Sequence, residues 1–447
     1  MRYAFVILMF LFAASSLLAD QSDSVNVSVT PTISLTLDYD LQFRTAYYSN
    51  IDYTSAERKS TDLFSQYLNL NVIGKFDKRI EMSAKIASYG FSGKYDNAFA
   101  MPYEDKDFAF FLETAFLKFK NEKDFSFPYT IYIGKQEFHY GSGLIVDSDN
   151  TGLLGAEATV DISKFLTIDM FASKVPNENF NFYGVNFNFD SLIEFTICQE
   201  RNNSGFLYKK GLSTKNPVDS SNKVDSSNKI EYDNKTFYDL RIASEGKKYG
   251  YAVEAAQQKG RLSKDNSEKV DYDAYMFSLN GAWHGEILKK DADANILFTY
   301  SGAKGENCFS PTFAKRYNGL QRVGYGTLFA ANTTDSFVVI PNGYYGINTL
   351  GFSFGICPFN AVSSGISYFL FSASDAPADA GDAGFAKIYG AKADLGKEFD
   401  FFVKYKYKHY FDVIFDFAFY TPPSKADKVF ANMDSSYLFQ LGIISRF

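Results

Sequence analysis

The sequence predicts an all-β protein: a transmembrane antiparallel up-and-down β-barrel of about 18 strands, with short periplasmic turns and long extracellular loops. Three observations predict it. Apolar and polar residues alternate with period two along the chain, short connections alternate with long ones, and no apolar run after the N-terminal leader is long enough for a transmembrane helix.

The leader comes first. Arg2 supplies a positive start, Ala4 to Ala14 form an uninterrupted apolar run of 11 residues, and a Ser/Ala-containing stretch ends near Ala19. These are the three regions of a secretory signal peptide, and the run is too short to span hydrocarbon as an anchor. Residues 1–19 are read as the signal peptide, with cleavage after Ser16 as the fallback, and residues 20–447 as one barrel domain.

That domain has aromatic surface to hide, for the chain holds 47 Phe and 32 Tyr. Alternating strands can turn it to lipid, and closing the sheet satisfies every backbone N–H and C=O. In the first strand Leu35, Leu37, Tyr39, Leu41 and Phe43 share one face, with Thr36, Asp38, Asp40, Gln42 and Arg44 on the other. Strands are expected near 32–46, 64–76, 79–90, 108–120, 128–139, 153–162, 165–174, 181–190, 192–202, 235–245, 249–260, 270–284, 291–302, 346–356, 361–373, 392–406, 411–420 and 436–447. Every second connection is short, as at Lys78, Ser163–Lys164 and Ser191, while the others include 203–234 and 303–345. Such segregation is expected of outer-membrane barrels, and a soluble sandwich has no need of it. A tandem repeat, Val218–Lys223 and Val224–Lys229, reads as a solvated loop tip. The last strand alternates Tyr437, Phe439, Leu441 and Ile443 and ends on Phe447, an aromatic terminus of the kind read by the barrel-assembly machinery.

Charge and composition exclude other classes. A net charge of −7 offers no basic stripe for nucleic acid. Cys198, Cys308 and Cys357 are too few and too scattered for a disulfide framework, and His139, His284 and His409 lie far apart. The string Asp147, Asp149, Thr151, Gly152 resembles the opening of a calcium loop, but Ala158 stands where a bidentate Glu is needed. Ca²⁺ is the one cofactor the string suggests, with a polar extracellular loop as the alternative, and no other cofactor is expected.

Three segments resemble the alginate-export-like outer-membrane porin family. They are Tyr132 to Ile145 (YIGKQEFHYGSGLI), Leu395 to Lys408 with the strand ending at Pro423, and Leu37 to Arg44. The resemblance covers a small part of the chain. It implies a monomeric barrel of about 18 strands whose loops fold toward the lumen. This sequence departs from the family where an arginine-rich pore would suit a polyanion, for it has 10 Arg in all.

Assigning the polar parity of each strand to the lumen gives 13 acidic against eight basic residues. Arg44, Lys135, Glu137, Glu398, Asp400, Lys404 and Asp416 are the expected pore-lining residues. The reading is an outer-membrane channel that passes small polar solutes or ions by diffusion, mildly preferring cations. The alternatives are a barrel plugged by the 303–345 loop, serving as a structural element or adhesin, and a barrel-type hydrolase. For the latter, His139 beside Ser142 is the one local pairing. Expected partners are outer-membrane lipid, the barrel-assembly machinery and small solutes.

Overall fold

A computed structural model describes residues 34–50, 60–76, 79–93, 110–121, 127–148, 152–174, 179–203, 230–264, 269–304, 309, 311, 347–373, 393–408, 410–423 and 434–446. Eighteen strands form one closed antiparallel sheet. They are β1 (Ser34–Ser49), β2 (Thr61–Lys75), β3 (Ile80–Gly93), β4 (Phe110–Asn121), β5 (Tyr129–Gln136), β8 (Leu153–Ser163), β9 (Leu166–Lys174), β10 (Phe180–Phe189) and β11 (Ile193–Asn202). The circuit continues through β12 (Ile230–Glu245), β13 (Tyr249–Lys264), β14 (Lys269–Ile287), β15 (Lys290–Ala303), β16 (Ile347–Phe359), β17 (Val362–Ala373), β18 (Asp394–Tyr407), β19 (Phe411–Thr421) and β20 (Ser436–Arg446). Each pairs with its neighbour, and β20 closes the circle on β1 from Asp40↔Arg446 to Ser49↔Tyr437. No edge remains exposed.

Side-chain alternation sets inside from outside. Leu37, Leu154 and Phe439 point outward and are 58%, 51% and 44% exposed, whereas Gln42, Thr196, Glu254 and Gln440 point inward and are buried. A belt of exposed large apolar side chains thus wraps a polar interior, the reverse of a soluble protein. Among the described residues no helix is long and apolar enough to cross a membrane.

Connections at one end are two to seven residues long; at the other they run from four to 43. Two of the short ones, Asp190-Ser191 and Leu288-Lys289, have consecutive positive φ values of 53° and 56°, and 53° and 59°. That is the primed turn whose twist matches a tight hairpin.

Two features go beyond the strand pattern, the first of them an inward fold of the kind the resemblance implies. β5 ends at Gln136, three residues before the predicted limit, and the chain turns into the lumen as a small hairpin of β6 (His139–Tyr140) and β7 (Val146–Asp147). In β4 the register with β3 slips between Lys85 and Ile86, so that Glu113 is an extra residue with no partner opposite. This is a β-bulge, and it turns a carboxylate inward beside Thr114. The leader, the Val218–Lys229 repeat, Asp149, Thr151, Cys308 and Phe447 lie outside the described residues, as does most of the 303–345 loop.

Candidate functional site

The inward hairpin narrows the lumen. Phe138, Tyr140, Leu144, Ile145 and Val146 are all buried. Phe138 and Tyr140 sit on the aromatic inner wall of β9 and β10, where Tyr140 stacks on Phe171 at 4.5 Å between ring centroids and Phe138 meets Phe182 edge-on at 6.5 Å, and all five belong to one apolar cluster. Each such side chain is worth about 1.5–3 kcal/mol, so the five together hold the hairpin by roughly 8–15 kcal/mol. The Tyr140 hydroxyl donates to Glu157 Oε1 at 2.9 Å. Burial pushes that hydroxyl well above the ordinary tyrosine range, which keeps it a donor.

At the tip, Gly141 and Ser142 reach the far wall. Gly141 N–H donates to Glu194 Oε2 at 3.1 Å, and Ser142 N–H is shared between the Glu254 oxygens at 3.1 and 3.2 Å. The Ser142 hydroxyl also donates to Glu254. Glycine is required at 141, because φ is +63° and a Cβ there would lie 2.5 Å from Glu254 Oε1 and 2.9 Å from Asp239 Oδ2. Backbone amides at a tight turn are natural partners for carboxylates. Arg241 Nη1 takes the other Glu194 oxygen at 2.9 Å.

Under the hairpin, toward the short-turn end, lies a cavity of about 740 Å³ lined by residues of β1 to β5, β8 and β20. Asp38, Asp40, Glu137 and Glu157 bring acidic groups to its wall, against Lys85 and Arg446. Lys85 Nζ sits between Glu113 Oε1 at 3.2 Å and Glu137 Oε1 at 3.4 Å. Arg446 Nε lies 3.1 Å from Asp40 Oδ2, and Gln42 links Asp40 to Arg44 Nη2, the latter at 3.2 Å. Phe116 and Tyr132 add an edge-on aromatic pair at 5.8 Å. The volume and the mix of polar groups with one aromatic pair suit a small polar solute in transit.

Of the expected pore-lining residues, Arg44, Glu398, Asp400 and Asp416 lie buried on the inward face. Asp416 accepts from Gln440 Nε2 at 3.1 Å, and Lys404, on the same inward parity, pairs with Asp412 at 2.7 Å. Glu137 belongs to the cavity, though it lies beyond the end of β5 and reaches Lys85 because the chain has already turned inward.

Lys135 is a correction. It stands opposite Leu154, whose side chain faces out, and its Nζ donates to the Leu112 carbonyl at 2.6 Å. Ile131 and Ile133 share its parity, so the sequence carried the signal that this lysine belongs to the outer face.

Sequence reasoning missed Glu113, hidden by the bulge, and Glu157, the partner of Tyr140. It also missed Lys235, which sits 3.9 Å from Glu200 and 3.7 Å from Asp233 on the inner wall.

The proposed hydrolase pairing does not form. Ser142 is bound to Glu254, while His139 Nδ1 lies 3.5 Å from Asp147 Oδ2. Asp147, the described one of the three expected oxygen ligands in the calcium-like string, is buried in this hairpin, and no group of three or more potential His, Cys, Asp or Glu metal ligands occurs among the described residues. Phe309, at the start of the 303–345 loop, is buried and meets Phe237 of the inner wall edge-on at 6.0 Å.

No known family profile and no curated protein matches the chain in sequence. Solved structures match it in fold. OccAB4 of Acinetobacter baumannii has 10% identity and a TM-score of 0.51, covering 94% of this chain and 100% of its own. A BenF-like porin from Pseudomonas fluorescens Pf-5 has 10% identity and a TM-score of 0.51, covering 93% and 98%. OccK2 (OpdF) of Pseudomonas aeruginosa, solved in complex with glucuronate, has 9% identity and a TM-score of 0.52, covering 92% and 98%. The chain therefore has the fold of an 18-stranded porin. The alginate-export-like resemblance rests on its three quoted segments alone.

Proposed function

We propose that this barrel lies in the bacterial outer membrane and passes small polar solutes or ions by diffusion, with a mild preference for cations. The observation that carries the reading is the polar cavity under the inward hairpin, whose wall presents more carboxylates than cations. Both of its cations already stand beside carboxylates, Lys85 between Glu113 and Glu137 and Arg446 by Asp40. A passing cation meets uncompensated acidic groups; a passing anion meets cations already engaged. A polyanion such as alginate does not suit this wall. The structures similar in fold include porins solved with glucuronate and, at a TM-score of 0.50, with vanillate, which fits passage of small polar molecules as a class. In this reading the chain is a monomer, binds no resident cofactor, and is inserted by machinery that reads Phe447.

Liposome swelling tests it. Vesicles carrying the purified barrel should swell in isotonic solutions of small neutral and cationic solutes, and more slowly with anionic solutes of equal size. Vesicles that stay unswollen in every solute would overturn the channel reading. That result would favour the plugged barrel, for which the burial of Phe309 against the inner wall is the supporting observation.

A further inference from the structure

The outer wall is not uniform. Outward residues on β9 to β14 fall on shared register rows that change character toward the long-loop end. One row is Ile168, Phe187, Phe195, Leu240, Ala255 and Phe277, entirely apolar. Three pairs further along, the corresponding row is Lys174, Asn181, Arg201, Asn234, Arg261 and Asp271. Between them lies a row containing Tyr183, Gln199, Thr236, Lys259 and Asp273. Each of these strands passes from apolar to polar outward side chains toward this end, and every second one, β9, β11 and β13, carries cations there.

The cations are arranged on a prepared surface. Arg201 Nε donates to Gln199 Oε1 at 3.0 Å, and its guanidinium lies 5.7 Å from the Tyr183 ring centroid. The Tyr183 hydroxyl donates to the same Gln199 oxygen. This holds the guanidinium in place while using one of its five donors. Lys174 and Lys259 are exposed. Neighbouring strands are about 4.8 Å apart, which puts successive cations on β9, β11 and β13 roughly 10 Å from one another. Arg261 is paired with Asp271 at 2.6 Å, and Asp273 stands opposite Lys259, so four cations face two carboxylates. The opposite wall differs: the same end of β18 to β20 presents Lys397, Thr421 and Tyr437 outward, a single cation.

We propose that this face of β9–β13 is a docking surface for the phosphate-bearing headgroup of a glycolipid in the outer leaflet. Charge complementarity selects the partner. The cations sit at the depth where acyl chains give way to headgroups, next to tyrosines suited to that interface, and a phosphate can bridge two cations spaced across strands. The inference rests on the membrane-spanning reading but not on conduction, and the two can fail separately.

The test uses the purified, folded full-length barrel in detergent micelles with bis-phosphorylated lipid A, or the same lipid stripped of its phosphates, and native mass spectrometry to count retained lipid. Wild-type barrel should retain the phosphorylated lipid preferentially. The triple variant K174Q/R201Q/K259Q should retain it on the order of tenfold less, and K397Q should match wild type. Heat-modifiable gel mobility confirms that each barrel is folded. Should the triple variant misfold, K174Q/K259Q removes two exposed lysines and should still lower retention severalfold. Equal retention of both lipids by wild type, or unchanged retention by the folded variants, would overturn the proposal.

Discussion

Replacing Glu254 by Ala removes the acceptor of the Ser142 N–H and hydroxyl at the hairpin tip. Hydrogen bonds to a charged acceptor are worth about 1.5–3 kcal/mol each, so the loss is roughly 3–6 kcal/mol. The bond from Gly141 to Glu194 survives, and so does the apolar packing of Phe138, Tyr140, Leu144, Ile145 and Val146, worth roughly 8–15 kcal/mol. Packing wins over the latch. The hairpin should therefore stay seated with a looser tip, giving noisier single-channel current and a conductance within about twofold of wild type. Excising residues 139–147 and bridging the gap with Gly-Ser should instead raise conductance well beyond that, because the whole obstruction leaves the lumen. Planar-bilayer recording of the three proteins decides the matter. If Glu254→Ala conducted as well as the excision, the carboxylates and not the packing would hold the hairpin. If excision left conductance unchanged, the hairpin would not be the constriction.

Two further outcomes are expected. Lys85→Ala leaves the buried Glu113 without its cation, and breaking a buried pair costs about 3–5 kcal/mol, so the folded band on heat-modifiable gels should be lost at a lower temperature than in wild type. An unchanged transition would mean that the carboxylates find other compensation. Removing Phe447, or replacing it by Ser, should slow insertion and accumulate unfolded protein in the periplasm, followed by pulse-chase; assembly at the wild-type rate would show that the terminal aromatic is not read.

Strand parity was legible because a barrel wall has lipid on one side and water on the other. Any strand that spans it must alternate, which is why Leu37, Tyr238 and Phe439 fall outward and Gln42, Asp239 and Gln440 inward. Loop asymmetry was legible for a similar reason, since turns at one end are tied to tight hairpin geometry. The site was harder to read. Parity ends where a strand ends, so Glu137 joined Lys85 only through the inward bend after Gln136. A single bulge, which no alternation pattern shows, turned Glu113 inward against Lys85. No local pattern announces that Gly141 and Ser142 will find Glu194 and Glu254, because that contact joins segments 53 and 112 residues apart. Lys135 is the opposite case, an error that consistent use of parity would have prevented.

In the proposed function the pore is water-filled and its wall charge biases ion flow weakly. The carboxylates are spread over many strands, and in water each is screened within about 8–10 Å at ordinary salt. A diffuse excess of this kind acts more gently than a ring in a narrow dry filter. The reversal potential of the purified barrel across a salt gradient in a planar bilayer tests the claim most directly. Wild type should conduct with a mild cation preference that fades as salt rises. The double variant Glu398→Lys/Asp400→Lys should shift toward anions, since both side chains lie on the inward face of β18. A folded barrel with no conductance, or a wild-type pore with strong anion selectivity, would contradict the account.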